Sequence, residues 1–343
     1  MKSPSLFSFR NWNSSYKYGL YSLFLTFVSL LILASSCRDK DYTQCNDPNA
    51  LNYNKEAEGD EHCEYHTVRI QPRKISRLDM QMEETSGLVF SGDKIWTHND
   101  RGHTNELYAI DTATGGVLQT MVLKDRKNHD WEDLAKSEDY IFVGDIGNND
   151  GDRTNLAVYR VAKEAAQSSA EKVSVISEKI PYFYPNQMNF DPNKDHNFDC
   201  EALIYWNDYL YLFSKNRKDD RTQLYQIPAR PSENEYAAEK MQDFKATGRI
   251  TGATISEDKK AVILIGYNKD ADVFLWYLYD FSPPRFLSGK KIYVNLGPFR
   301  EIGQAEAVCY LTPERLLISS EKVKDLEPKL YEVKVADILS ALD

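Results

Sequence analysis

The stretch ETSGLVF at residues 84–90 introduces a phrase that recurs along the chain: a polar or acidic residue, one or two small residues, and a short apolar run. A phrase repeated at roughly 50-residue spacing is typical of repeat architectures. The further copies are WEDLA (131–135), CEALIY (200–205), TGATI (251–255) and AEAVCY (305–310). Four of the five copies carry a glutamate at what the alignment treats as one position, so the repeat bears on both the fold and a site.

Each copy of the phrase opens a unit of several short apolar runs. The first unit reads ETSGLVF, KIWTHND, ELYAIDT and VLQTMVL, separated by turn residues, which is the pattern of four antiparallel strands. Four-stranded units repeated radially form a β-propeller. The last unit lacks a fourth run, and HTVRIQPRKI (66–75) is expected to supply it. The sequence therefore predicts an all-β fold, a β-propeller over residues 66–343 closed by an N-terminal strand.

The number of blades follows from the number of copies. Five copies predict five blades, although the long interval between Glu132 and Glu201 leaves room for a sixth. That interval contains only two candidate runs beyond those of its own unit, so five is preferred.

The composition limits the partners. The formal charge of −10 and the pI near 5.3 argue against a nucleic-acid backbone as the partner and are compatible with cation binding. The chain has no paired histidine or cysteine motif for zinc, no phosphate-binding loop, and no nucleophile elbow around Ser86. Cys200 and Cys309 are expected to be buried free thiols.

The N-terminus has the features of an export signal. Basic residues precede the apolar run at residues 20–33, which is short for a membrane span, and Ala34-Ser35-Ser36-Cys37 follows it. Small residues before a cysteine resemble a bacterial lipobox. The resemblance implies a signal peptide at 1–36, lipidation of Cys37, a tether at 37–44, and anchoring to the outer membrane of a Gram-negative bacterium, on either leaflet. An uncleaved anchor and an ordinary signal peptide are the alternatives.

Residues 45–65 form a separate small module. The segment CNDPNALNYNKEAEGDEHC resembles a short module found in secreted and surface proteins of Gram-negative bacteria. Because so few residues cannot build a core, a Cys45–Cys63 disulfide is expected. Oxygen-bearing side chains of the loop are weaker candidates for a calcium site, and a solvated spacer with Asx turns is favoured slightly over it. These candidate ligands are Asp47, Asn49, Asn52 and Asp60.

Strand direction places the polar ends of the blades at one mouth of the propeller channel. In each blade the first strand starts, and the second strand ends, on the same face. The predicted metal ligands there are Glu84, Glu132, Asp145, Glu201, Glu306 and Glu321. The predicted binding residues are His98, Asp100, Arg101, Lys215 and Arg217. Converging carboxylates require a cation or basic groups, and oxygen ligands favour calcium. The alternative is that each glutamate caps backbone amides of the next blade.

The motif order resembles that of a known group of proteins. ETSGL, WTHND, DWEDLA, GDIGNN, CEAL, TGATIS and AEAV are similar to a broad group of uncharacterised bacterial secreted propellers. More distantly the blade starts resemble SdiA-regulated proteins, esterase-like phytases and calcium-dependent gluconolactonases. The close resemblance implies a fold, and the distant ones imply metal binding and ester or lactone hydrolysis. The copy at Thr251 lacks its glutamate, which leaves a ligand ring incomplete there.

Two functions from different classes remain open. The first is a surface-tethered binding module for a carbohydrate, peptide or protein, ordered by calcium. The second is a calcium-dependent hydrolase of phosphate or carboxylate esters or lactones, with Glu132 or Glu201 as general base. A structural glutamate ring without a metal is a third possibility.

Overall fold

The structure is a computed structural model that describes residues 44–343. The predicted signal peptide, Cys37 and the tether up to residue 43 lie outside the described residues. The chain from Cys45 to Asp343 forms one compact unit, in which the 45–65 module is included.

Strands dominate the described part of the chain. In chain order they are β1 (His66–Arg69), β2 (Arg73–Arg77), β3 (Thr85–Ser91), β4 (Lys94–Asn99), β5 (Glu106–Ile110), β6 (Val117–Leu123), β7 (Trp131–Lys136), β8 (Tyr140–Asp145), β9 (Ala157–Ala162), β10 (Lys172–Val175), β11 (Glu178–Phe183), β12 (Cys200–Trp206), β13 (Tyr209–Ser214), β14 (Arg221–Pro228), β15 (Tyr236–Ala237), β16 (Glu239–Lys245), β17 (Arg249–Ile255), β18 (Ala261–Tyr267), β19 (Asp272–Tyr279), β20 (Lys290–Pro298), β21 (Gln304–Thr312), β22 (Arg315–Glu321) and β23 (Lys329–Lys334). The helices of residues 44–343 are α1 (Phe299–Ile302) and α2 (Val335–Leu339), with 3₁₀ turns at Met80–Met82, Lys163–Gln167, Phe286–Ser288 and Ser340–Leu342.

The strands form five sheets, which are the blades of a β-propeller. From the channel outward the blades are β3-β4-β5-β6-β10, β7-β8-β9-β11-β15, β12-β13-β14-β16, β17-β18-β19-β20-β1 and β21-β22-β23-β2, called blades 1 to 5. The inner strands contact one another in ring order, and β21 contacts β3 to close the circle. The predicted all-β class and the preferred count of five blades are confirmed.

An N-terminal strand closes the ring, as the sequence predicts, but only part of the proposed segment does so. Strand β2 pairs antiparallel with β23, with Arg73 opposite Glu332 and Arg77 opposite Lys329. The first part of the segment, β1, instead pairs parallel with β20 at the outer edge of blade 4. Strand β2 therefore closes the ring with the last strand of the chain, and β1 adds a fifth strand to blade 4.

The long interval between Glu132 and Glu201 does not contain a sixth blade. Its extra residues form β10, which pairs parallel with β6 of blade 1, and an irregular connection at residues 184–199. The short β15 similarly pairs parallel with β11 of blade 2. A short strand within the chain of blade 2, and another within that of blade 3, thus covers the outer edge of the preceding blade, which protects that edge from pairing with other chains.

Five apolar clusters hold the ring together, one at each interface between blades. Trp96 and Trp131 are fully buried in the cluster between blades 1 and 2. The β18 sequence AVILIGY is buried on both faces because its sheet packs between two others. Cys200 and Cys309 lie in two other clusters as buried free thiols, which confirms that prediction.

The 45–65 module is tied together by the expected Cys45–Cys63 disulfide and packs on blades 3 and 4. Lys291 of blade 4 donates to Asp47 across 2.6 Å, and its ammonium also lies over the Tyr65 ring. Arg221 of blade 3 makes two hydrogen bonds of 2.7 Å to the carboxylate of Asp60. The module is therefore docked on the propeller by ion pairs of Asp47, Asp60 and Glu61 in addition to apolar contacts.

Candidate metal centre

Every inner strand carries a β-bulge near its start. The ladder between first and second strands skips one residue in each blade. These residues are Gly87, Glu132, Glu201, Thr251 and Glu306. A bulge leaves its extra residue unpaired and re-aims its side chain, so three glutamates are presented in the same way.

The bulges correct the sequence alignment at blade 1. The alignment of the repeated phrase predicts that Glu84 is equivalent to Glu132. This prediction is wrong, because Gly87 holds the bulge position of blade 1. A Cβ on Gly87 would lie 2.7 Å from His98 Nε2 and 2.8 Å from the Leu134 amide nitrogen, so blade 2 approaches too closely for a side chain. Glu84 instead precedes β3 and lies at the rim.

The gap at blade 4 is filled by hydrogen bonding. Thr251, which replaces the glutamate there, is buried, and its hydroxyl donates to the Ala305 carbonyl of blade 5 across 2.9 Å. Ser86 of blade 1 makes the corresponding contact to the Glu132 carbonyl of blade 2 across 2.6 Å. Where the glutamate is missing or displaced, a hydroxyl near the start of the inner strand links neighbouring blades.

Carboxylates gather at the mouth in three overlapping groups. In each group the donor oxygens all lie within 4.8 Å of one another. The groups are Glu84, Asp100 and Glu321; Asp100, Asp130 and Glu132; and Glu132, Asp199 and Glu201. The structure thus brings together four of the six predicted metal ligands and adds Asp100, which the sequence assigned to binding.

Basic residues neutralise the group on the blade 3 side. Lys215 forms an ion pair with Glu201, and Arg217 Nε donates to Asp199 Oδ2 across 2.7 Å. Burial by itself would lower the pKa of Lys215, but the nearby Glu201 and Glu306 carboxylates hold it well above its usual range. Lys215 therefore stays charged. Arg217 also donates to the side chain of Asn149. Lys215 and Arg217 therefore neutralise the Asp199 and Glu201 carboxylates.

The carboxylates on the blade 1 and 2 side have no such partners. Asp100, Asp130 and Glu132 form no ion pair with any residue in the described range 44–343. Asp130 is 2% exposed, and its Oδ1 is buried without a hydrogen-bond partner among those residues. A buried carboxylate oxygen left unpaired is costly.

Local electrostatics show the cost of assembling these groups. Burial, with the Asp100 charge, raises the pKa of Asp130 to about 7. Burial, with the Glu201 charge, raises the pKa of Glu132 well above its usual range. Burial also raises the pKa of Glu306 to about 7 and, with Glu306 nearby and a hydrogen bond to Glu84, that of Glu321 to about 10. Each of these raised pKa values means that the carboxylate favours its protonated form unless a nearby positive charge stabilises the ionised form.

The loop after β8 encloses the middle group. A Cβ on Gly147 would lie 2.1 Å from Glu132 Oε1 and 2.6 Å from Asp130 Oδ2, so both carboxylates lie against bare backbone. Asn149 Nδ2 donates to Asp130 Oδ2 across 3.3 Å, and the Asn148 amide donates to Asp199 Oδ1 across 2.7 Å. The GDIGNN stretch therefore supplies close backbone and amide groups to the carboxylates.

Two of the predicted site residues have structural partners instead. Asp145 accepts hydrogen bonds from Arg153, Tyr159 and the Asp130 amide, and it lies 3.0 Å from His129 Nδ1. It therefore positions Asp130 and does not join the carboxylate groups. His98, predicted at the rim, is fully buried, and burial lowers its pKa to about 4.

The remaining predicted residues line the edges of the mouth. Glu306 accepts a hydrogen bond from Gln304 and does not join the three groups. The Arg101 guanidinium is more than half exposed, 4.0 Å from the Asp150 carboxylate. Sequence reasoning missed Asp199 as a site residue and left Asp130 out of the ligand set. The repeated Asp-x-Glu of Asp130-Trp131-Glu132 and Asp199-Cys200-Glu201 is the signal that identifies both.

The module residues proposed as weaker ligands have other partners. Asp47 accepts from Lys291, from the Tyr65 hydroxyl and from the Asn49 amide. Asn49 donates to the Ser288 carbonyl, and Asn52 donates to the His62 carbonyl. Asp60 is paired with Arg221. Lys291 and Arg221 thus supply positive charge to the module without a metal ion.

Comparisons with known proteins identify no family for this chain. No protein family and no curated protein matches the sequence. A chain in a crystal structure of the mitotic checkpoint complex is similar at 13% sequence identity and a TM-score of 0.35, covering 73% of this chain and 74% of that chain. Within residues 44–343, no helix has the length and apolar character needed to cross a membrane.

Proposed function

We propose that this propeller is a binding module that holds a divalent cation, calcium, at its acidic mouth, with Asp100, Asp130 and Glu132 as the principal ligands. The observation that carries the proposal is the buried Oδ1 of Asp130, which has no hydrogen-bond partner among the described residues and belongs to a carboxylate whose donor atoms lie within 4.8 Å of two others. A bound cation would supply the partner that Asp130 Oδ1 lacks.

The choice of calcium rests on the donor set. The middle group offers the carboxylate oxygens of Asp100, Asp130 and Glu132, and oxygen ligands suit hard cations. Glu84 and Glu321 extend the oxygen set through Asp100, which belongs to both groups. Calcium accepts six to eight oxygens in flexible geometry, which fits ligands drawn from different blades.

The binding role is favoured over hydrolysis by the state of the two candidate bases. Glu201 is paired with Lys215 and lies beside Arg217, so its carboxylate is already engaged. Glu132 belongs to the proposed ligand set. The proposed ligand of the propeller is a carbohydrate, peptide or protein outside the cell, bound over the mouth where Arg101 is exposed and Asn149 and Asp150 are partly exposed.

We also propose that the protein is exported and anchored through a lipid on Cys37. The Cys45–Cys63 disulfide supports an oxidising compartment, since disulfides persist in secreted and periplasmic proteins. Radioactive palmitate should label the protein in cells, and Cys37→Ser should remove the label. An unlabelled wild-type protein would contradict the anchor.

Calorimetric titration of the metal-stripped full chain with calcium tests the site. We expect one ion per chain with a dissociation constant of about 1 mM or tighter, the range of extracellular calcium modules. Asp130→Asn and Glu132→Gln should each weaken binding at least about tenfold, a loss of about 1.4 kcal/mol. Glu138→Gln, an exposed residue at the other end of the channel, is the matched control.

Three other results would contradict the proposal. Absence of calcium binding with an unchanged melting temperature would leave the carboxylates as a structural ring. Equal loss in Glu138→Gln would mean nonspecific charge binding. Calcium-dependent turnover of an ester, lactone or phytate that disappears in Glu132→Gln or Glu201→Gln would show that the protein is a hydrolase.

A further inference from the structure

A cavity of about 720 Å³ opens at the end of the channel opposite the acidic mouth. It is lined by residues from the second half of all five inner strands and from the turns that follow them. Because the carboxylate groups lie at the starts of those strands, the cavity is a separate site. Its volume lies within the range of small-molecule pockets.

The inner part of the cavity is apolar. Its buried lining residues include Leu88, Leu134, Leu203, Ala253 and Cys309. Three backbone amides of this lining are satisfied by Asp133. Its carboxylate accepts hydrogen bonds from the amides of Leu134, Leu203 and Ala253 at 2.8, 2.8 and 3.1 Å. These amides come from three blades, and without Asp133 they would lack partners.

Three lysines, Lys136, Lys163 and Lys259, also line the cavity. Lys136 Nζ donates to the Phe90 carbonyl across 2.8 Å, and Lys163 Nζ donates to the Ser137 and Glu138 carbonyls at 3.2 and 2.9 Å. None of the three forms an ion pair with a residue between 44 and 343. The ammonium groups of Lys136 and Lys163 donate to neutral carbonyls, and Glu257 and Asp258 lie near Lys259 without forming an ion pair with it.

The charge around Lys136 is mainly positive. Burial lowers the pKa of Lys136, and Lys163 and Lys259 add to the effect, while Glu257 opposes it. Glu138 and Glu257, the two carboxylates of the lining, are exposed. In a chain of net charge −10, an apolar pocket bordered by three unpaired lysines is a local exception.

We propose that this cavity is a second binding site, which takes a small organic anion: an apolar ring or chain seated on the leucine lining, with one acidic head group paired with Lys136 and Lys259. The apolar body displaces water from the buried lining. The head group supplies the charge that the lysines lack, and a partly desolvated pair is stronger than an exposed one.

A matched pair of fluorescent probes tests the proposal on the full chain. Anilinonaphthalene sulfonate and phenylnaphthylamine share the same rings, and only the first carries an acidic group. We expect saturable binding of the sulfonate at one molecule per chain and weaker binding of the neutral probe. Lys136→Met should lower the affinity for the sulfonate at least about fivefold and change the affinity for the neutral probe by less than about twofold.

Two control variants make the result interpretable. Lys136→Arg keeps the charge and should retain most of the sulfonate affinity. Lys290→Met removes a half-exposed lysine that pairs with Asp280 at the outer edge of blade 4, and it should change neither probe. Melting curves of each variant verify folding.

The proposal is overturned if no saturable binding occurs, if both probes bind equally well, or if Lys136→Met weakens both to the same extent. An equal effect of Lys290→Met would also overturn it, because the sulfonate would then report overall charge.

Discussion

Lys291 of blade 4 and Asp47 of the N-terminal module form a nearly buried ion pair, with 2.6 Å between Nζ and Oδ2 and a lysine side chain only 1% exposed. Removing one partner of such a pair leaves an uncompensated charge and costs about 3 to 5 kcal/mol. We therefore expect Lys291→Met to lower the free energy of unfolding by roughly 3 kcal/mol, measured by chemical denaturation.

The adjacent lysine provides the control for that measurement. Lys290 pairs with Asp280, and both side chains are more than half exposed, so Lys290→Met should leave the free energy of unfolding almost unchanged. If the two variants are equally stable, the module is not held by its buried ion pair.

Reduction of the Cys45–Cys63 disulfide should release the module before it affects the propeller. Closing a loop of this size stabilises by about 3 kcal/mol in the chain-entropy account. With a reductant, or in Cys45→Ser, limited proteolysis should cleave within residues 46–62 while the 66–343 fragment stays intact. Protection that is unchanged after reduction would mean that the docking contacts alone keep the module folded.

Gly147→Ala should disrupt the proposed cation site. The added methyl group would meet Glu132 Oε1 at 2.1 Å and Asp130 Oδ2 at 2.6 Å, so the two carboxylates must move apart. We expect a loss of about 1 to 3 kcal/mol in stability and no rise of the melting temperature with calcium. Gly116→Ala, where the new Cβ meets only the Thr114 hydroxyl at 3.3 Å, should retain the calcium response.

The metal-free protein should lose stability as the pH rises through the weakly acidic range. The raised pKa values of Asp130 and Glu306, both about 7, mean that the folded chain keeps protons that the unfolded chain releases above about pH 4. The folded state then binds more protons, so stability falls between about pH 4 and 7, by at most about 4 kcal/mol per group.

Melting temperatures measured in a chelator at pH 5, 6, 7 and 8 would test this slope. Asp130→Asn and Glu306→Gln should flatten it, and saturating calcium should oppose it because the ion favours the deprotonated carboxylates. A melting temperature that rises steadily with pH in the chelator would contradict the raised pKa values.

The sequence predicts the blades well because each strand is a local pattern. Apolar alternation and turn residues identify the four runs of the first unit, and the repeat fixes the number of blades. It fails at Glu84 because the position of a bulge depends on pairing with a second strand: the ladder passes from Ser86 opposite His98 to Leu88 opposite Thr97, and Gly87 is left over.

Contacts between distant segments are the other part that local patterns miss. Nothing in the run at His66–Arg69 indicates that its partner is β20, since an outer-edge parallel pairing leaves no sequence mark. Likewise the sequence alone predicts Asp47 and Asp60 as candidate metal ligands, because it does not show that Lys291 and Arg221 form ion pairs with them in the folded chain. The opposing cavity depends on where five strand ends meet, which no single strand encodes.

The pairing of Arg73 with Glu332 joins residues 259 positions apart in the chain. Such distant pairings make folding slow, because a long stretch must be ordered before they form. The circle cannot close until the last strands have been synthesised, so the chain stays open while its first blades form. Until then β2 has no partner strand, which makes late closure a step at which the chain is exposed to aggregation and to chaperones.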